Sequence, residues 1–153
     1  MQSLKERTDL IAEVFGVVGR FRRQLRRSAP RGFDSARLTE SQAELLWLIG
    51  RRPGISINAA AAELGLVPNT ASTLVSKLVA KGLLLRTVDA NDRRVGRLRL
   101  VGPTQQIVDT SRQARRTLLA DVLAELDADQ INSLTKGLEV LDTMTRLLQE
   151  RRS

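Results

Sequence analysis

Between Leu10 and Leu25 the apolar residues are Leu10, Val14, Val17, Val18, Phe21 and Leu25, a spacing that lines one face of an amphipathic helix. Arg20, Arg22, Arg23, Arg26 and Arg27 occupy the rest of its surface. Pro30 and Gly32 punctuate the stretch from Ser28 to Ser35, which is read as a loop. A second helix opens at Thr39, where Thr39-Glu-Ser-Gln42 forms a capping box. Leu45, Leu46, Leu48 and Ile49 follow, and Gly50 with Pro53-Gly54 is expected to end it. Ser56 caps a short Ala-rich helix, Ile57 to Leu64, which stops at Gly65. Pro68 suits the first turn of a fourth helix running to about Ala80, with Gly82 just beyond. Two short helices about a tight Gly65-Leu66-Val67 turn make a helix-turn-helix pattern.

After Gly82 the period changes. Leu83 to Val88 suits a strand, Asp89-Ala-Asn-Asp92 is turn chemistry, and Val95 to Val101 alternates with Leu98 and Leu100 on one side and Arg97 and Arg99 on the other. This is a two-stranded hairpin with a basic outer face, a wing. A long helix follows from Gly102-Pro103 with Ile107, Ala114, Leu118, Val122 and Leu126 on one face. Asp127-Ala-Asp-Gln130 is another capping box, and the last helix places Ile131, Leu134, Leu138, Leu141, Met144 and Leu148 at alternating helical steps. The fold class is therefore mainly α with a small β-hairpin wing, in the order αααα-ββ-αα. Residues 37–102 read as the winged helix-turn-helix domain. Residues 1–36 and 103–153 hold terminal helices with more apolar surface than so small a domain needs, and packing against a second copy is the economical use for it. They are expected to be dimerisation helices.

Composition narrows the chemistry. The chain of 153 residues has no Cys and no His, which removes thiolate metal sites, disulfides and the commonest general base. The nearest acidic pair, Asp89 and Asp92, lies in an Arg-rich turn. No enzyme, metal site or cofactor is expected. The net charge of +8 is unevenly placed: residues 1–38 hold nine Lys and Arg against four Asp and Glu, residues 39–102 nine against five, and residues 103–153 seven against eight. A positive surplus in the first two parts favours a polyanion. No apolar run is long enough to span a bilayer and no secretory signal is evident at the start, so the expectation is a cytoplasmic protein without a membrane partner.

The fourth helix carries the sharpest signal. Ala71, Leu74, Val75, Leu78 and Val79 are expected to pack inward, leaving Asn69, Thr70, Ser72, Thr73, Ser76 and Lys77 outward. These short hydrogen-bonding side chains gain little from helix propensity, and a merely solvated helix would favour Glu, Lys, Gln and Arg. Short polar groups let a helix approach the major groove of double-stranded DNA, where Asn pairs with adenine and Ser or Thr meet phosphates or a thymine methyl. Val67 has no capping side chain, so first-turn N–H groups are free for a phosphate. Arg93 and Arg94 at the wing tip, with Arg97 following, are suited to a narrow minor groove or to phosphates. One of the tip arginines is expected to pair with Asp89 or Asp92 and hold the turn while the other reaches DNA.

Leu64-Gly-Leu, Thr70-Ala-Ser72, Leu78-Val-Ala-Lys-Gly-Leu-Leu84 and Asp89-Ala-Asn-Asp-Arg-Arg94, in this order, resemble the MarR family of bacterial transcriptional regulators from about Leu38 to Leu100. The resemblance implies a homodimer on pseudo-palindromic operators, with Pro68–Lys81 as recognition helix, Arg93 and Arg94 as wing-tip contacts and Asp92 as wing support. It implies repression released, in many members, by a small anionic or aromatic effector between the dimer helices and the winged domain. No particular ligand is indicated by the residues. Phe15, Phe21, Phe33 and Trp47 are the only aromatics, and Arg20 or Arg23 would be the anion partners. The chain departs from the family after the second wing strand, with Val101-Gly-Pro-Thr-Gln in place of Leu-Thr-x-x-Gly. The competing reading is a winged-helix protein–protein module, an adaptor whose apolar terminal helices bind a partner rather than a copy.

Overall fold

A computed structural model describes residues 3–33 and 36–152. Its elements run α1 (Leu4–Ser28), α2 (Glu40–Arg51), α3 (Ile57–Leu64), α4 (Pro68–Ala80), β1 (Leu84–Val88), β2 (Gly96–Leu100), α5 (Gly102–Ala124) and α6 (Ala128–Glu150). The order and class expected from the sequence are those observed. The first helix begins earlier than the Leu10 stripe suggests, because Ser3 and Glu6 form a reciprocal capping box that starts it at Leu4. It also takes in Ser28, so the loop begins at Ala29; Asp34 and Ser35, the end of the loop read from the sequence, lie outside the described residues.

The core is built by α2. Leu45, Leu46, Leu48 and Ile49 are fully buried against Ala60 and Ala61 of α3, Val75 and Leu78 of α4, Leu84 and Leu98 of the hairpin, and Val108 of α5. The capping boxes at Thr39 and Asp127 form as expected, and Ser56 accepts the Ala59 N–H at 3.1 Å to start α3. At Gly65 the chain turns with φ +65, the left-handed conformation that glycine adopts without a Cβ penalty, and α4 then starts at Pro68. Val79 does not pack inward as expected. It is 42% exposed, because the covered face of α4 runs through Ala71, Val75 and Leu78 and leaves Val79 at its edge.

Gly50 is not a terminator. The helix passes through it to Arg51, and its missing side chain is where α5 comes in. A Cβ built there would stand 2.6 Å from Val108 Cγ1 and 3.2 Å from Leu100 Cδ1. Gly50→Ala would gain about 1 kcal/mol of helix propensity but incur an overpacking penalty of about 1–3 kcal/mol, so a net loss is expected. Thermal unfolding should show a midpoint lower by a few degrees (about 2–4 °C per kcal/mol at this size). A variant melting at or above the parent would show that Val108 yields freely.

The strands pair antiparallel in the register Leu84↔Leu100, Arg86↔Leu98 and Val88↔Gly96. The segment between α2 and α3 adds itself to the other edge of β2: Gly54 N–H donates to Leu98 O at 2.8 Å, Leu98 N–H donates to Ile55 O at 2.9 Å, and Ser56 bridges Arg97. The root of the wing is thereby fixed to the helical body. Despite the departure at Val101-Gly-Pro-Thr-Gln, α5 leaves the wing as an uninterrupted helix, with Val101 at its N-cap and Thr104 and Val108 buried. Among the described residues neither α1 nor α6 has a buried residue, and neither packs broadly on another element of the chain. Their apolar faces lie open, Phe15 at 77% and Leu148 at 62% exposure. Among the described residues no helix is long and apolar enough to cross a membrane.

Candidate nucleic-acid interface

Helix α4 stands on the core through Ala71, Val75 and Leu78 and turns Asn69, Thr70, Ser72, Thr73, Ser76 and Lys77 to the solvent, all six exposed. The pattern follows from the helical period: Ala71 and its neighbours one turn apart are apolar, and the positions between them are short and polar. Thr73 spends its hydroxyl proton on Asn69 O at 2.9 Å, which leaves its oxygen as an acceptor. The N-terminus of α4 receives no side-chain cap, and Val67 before it is 59% exposed. The N–H groups of Asn69 and Thr70 therefore face outward at the positive end of the helix, an arrangement that suits an anionic oxygen.

The wing is organised by Asp89. One oxygen of its carboxylate accepts the N–H groups of Asn91 at 2.7 Å and Asp92 at 3.3 Å; the other accepts Arg97 Nε at 2.8 Å. Arg97 continues inward and donates through Nη1 to Gly54 O at 3.3 Å. Asp89, Arg97 and Gly54 thus bracket the hairpin to the body. Arg97, expected on sequence grounds to face DNA, has two of its donor nitrogens committed here. Asp92 plays a more local part, its carboxylate accepting Arg94 N–H at 3.0 Å and Arg94 Nε at 3.4 Å. Even so, the Arg94 side chain remains 93% exposed, and Arg93 beside it is exposed as well. The turn-forming Asp-x-Asn-Asp run signals Asp89 in the sequence, but its partner lies across the hairpin, where the register sets Arg97 opposite Thr87, two residues before Asp89.

The N–H of Asn91 first and the Arg97 guanidinium next hold the Asp89 carboxyl below the usual carboxylate range. A depressed folded-state value means that the stabilisation is complete above the unfolded value, about pH 4, and is lost as the pH falls through the folded one. Asp89→Asn should lower the melting midpoint at neutral pH. The gap between variant and parent should close as the pH is taken below about 4. Melting curves whose separation did not change with pH would remove Asp89 from this role.

A second polar cluster joins residues that no local pattern connects. Glu40, at the start of α2, meets Arg31 at 2.7 Å, Arg26 at 3.1 Å and Arg22 at 3.5 Å, and Arg22 also reaches Glu44 at 3.2 Å. Nearby, Arg115 of α5 lies 4.6 Å over the Trp47 ring and donates through Nε to Ala29 O at 2.9 Å. Burial first, then the neighbouring Arg31 and Arg26 charges, lower the Arg115 value from its ordinary one. Among the described residues no group of His, Cys, Asp and Glu is gathered as a metal site would require.

Two short helices, the second turning a polar face outward, and a clamped basic hairpin define a winged helix-turn-helix protein. The sequence model of the MarR family matches residues 38–95, the stretch that holds this winged domain. Many solved structures share the fold, and three illustrate it. FabT of Streptococcus pneumoniae, solved in complex with DNA, superposes with a TM-score of 0.73 at 20% identity, covering 95% of this chain and 99% of that one. A MarR family protein from Bacillus stearothermophilus gives 0.65 at 21% identity over 94% and 99%. A MarR protein from Peptoclostridium difficile gives 0.71 at 16% identity over 92% of each. At such identities the likeness is one of fold. No curated protein sequence matches the chain.

Proposed function

We propose that the chain is a sequence-specific, double-stranded-DNA-binding transcriptional regulator that acts as a homodimer, a repressor at pseudo-palindromic operators. The observation that carries this reading is the face of α4: six exposed polar residues and an uncapped, outward N-terminus, flanked by a wing whose tip presents Arg93 and Arg94. Asn69, Thr70, Ser72, Thr73, Ser76 and Lys77 read or clamp the major groove; Arg93 and Arg94 take the minor groove or adjacent phosphates. The fold shared with FabT, solved with DNA, supports the same use.

The dimer rests on the open apolar faces of α1, α5 and α6, with residues 1–36 and 103–153 as the dimerisation part and 37–102 as the reading head. A repressor follows if the operator overlaps a promoter, and a cytoplasmic location goes with that role. Release by a small anionic or aromatic effector belongs to the same reading, with a crevice of about 470 Å³ between the end of α6 and the helix-turn-helix turn as a place for it to act.

The test is to incubate the purified chain with sheared genomic DNA, sequence the retained fragments and sediment the protein alone. A recurring two-fold motif with half-sites about 10 base pairs apart and a dimer at micromolar concentration are expected. A monomer with no retained fragment would favour the adaptor reading instead.

A further inference from the structure

The two ends of the reading head are joined to the terminal helices by different physics. Helix α5 is rooted apolarly, with Thr104, Val108 and Ser111 buried and Val108 seated at Gly50; beyond its first turns none of its residues is buried. Helix α1 has no buried residue at all. It is tied to α2 by charge, chiefly at one oxygen: Oε1 of Glu40 receives Arg26 and Arg22 from α1 and Arg31 from the loop that follows, while Arg22 also reaches Glu44 at 3.2 Å. Arg22 and Arg26 are one helical turn apart and so present both guanidinium groups to the same side. Glu40 is the first residue of α2, where the positive helix end favours a carboxylate.

A body anchored along one helix can still pivot about that anchor. A second attachment on another helix removes the pivot. We infer that Glu40 is the positioning residue that sets the angle between α1 and the winged domain, and through it the separation of the two reading heads on DNA. The inference rests on the reading of the chain as a dimer that binds paired half-sites. One base pair shifts a half-site by about 3.4 Å and turns it by about a tenth of a helical turn, so a fixed head accepts one spacing and a loosened head accepts several. Each exposed ion pair is weak alone; what matters is that three of them share one carboxylate and hold a direction.

The experiment is in vitro selection from a pool of random-sequence duplexes with the full-length chain, with Glu40→Gln, and with the double variant Arg22→Gln/Arg26→Gln. The double variant removes the ion pairs of α1 to Glu40 and Glu44 but leaves the Arg31–Glu40 pair and the start of α2 untouched, so it carries the test should Glu40→Gln fail to fold. The unmodified chain should enrich one spacing, with spacers longer or shorter by one base pair about tenfold or more weaker. In both variants those spacers should come within about threefold of the best, with the half-site sequence unchanged and the dimer intact in sedimentation. The same sharp spacing in the variants would overturn the inference while leaving the DNA-binding reading standing. Loss of the half-site motif along with the spacing would overturn it too, as damage to the head. If the unmodified chain enriches no paired half-sites, the dimeric DNA-binding reading falls and takes this one with it.

Discussion

A chain carrying Leu138→Asp together with Leu141→Asp is expected to sediment as a monomer and to lose operator affinity by about 10²–10⁴-fold. Leu134, Leu138, Leu141, Met144 and Leu148 form one stripe along α6, between 36% and 62% exposed, and among the described residues no element packs broadly on it. Two carboxylates in the middle of that stripe would have to be buried unpaired in any helix-on-helix interface, at several kcal/mol each. The loss on DNA is large because a dimer places its second head at high effective concentration once the first is bound. The winged domain should be unharmed, because α6 contributes no buried residue to it. A double variant that remained dimeric would move the interface elsewhere, and a monomer with full affinity would mean that one head suffices.

The other large effect concerns the wing. Arg93→Ala/Arg94→Ala removes two guanidinium groups per protomer from a tip that the Asp89 bracket keeps in place, so the fold and the dimer should persist. Affinity should fall by about tenfold to a hundredfold at moderate salt. The logarithmic salt dependence should become shallower by about 0.9 for each phosphate that the protein no longer neutralises. Base preference should be unchanged, because phosphate contacts position and base contacts specify. Asn69→Ala makes the contrast: its slope should match the parent while the preference at one position in each half-site relaxes. A double arginine variant with the parental slope across a salt series would place the wing off the DNA.

Much of this fold is encoded locally. Thr39–Gln42, Ser56, Pro68 and Asp127–Gln130 mark helix starts through contacts within four residues, so the chain shows them without its fold. The polar face of α4 is equally legible, since helical period alone separates Asn69, Ser72 and Ser76 from Ala71, Val75 and Leu78. What depends on a distant neighbour is hidden. Gly50 looks like a stop signal because nothing nearby announces that Val108 will press against it. For Arg97 the alternation with Leu98 says which face it is on and not that Asp89 and the Gly54 carbonyl also hold it there.

The wing is therefore a different object in three dimensions from the one its strand pattern describes. Period and turn residues determined that a basic hairpin would follow a helix-turn-helix, because strand alternation and turn chemistry are short-range properties. Tertiary structure decided which arginines remain outside. The added segment 54–56 and the hairpin register draw Arg97 into the root and leave Arg93 and Arg94 at the tip. It likewise decided that Arg22 and Arg26, a solvated stripe in the sequence, meet Glu40 from across the loop. Ion pairs and close packing join residues far apart along the chain, and no local period encodes such partners.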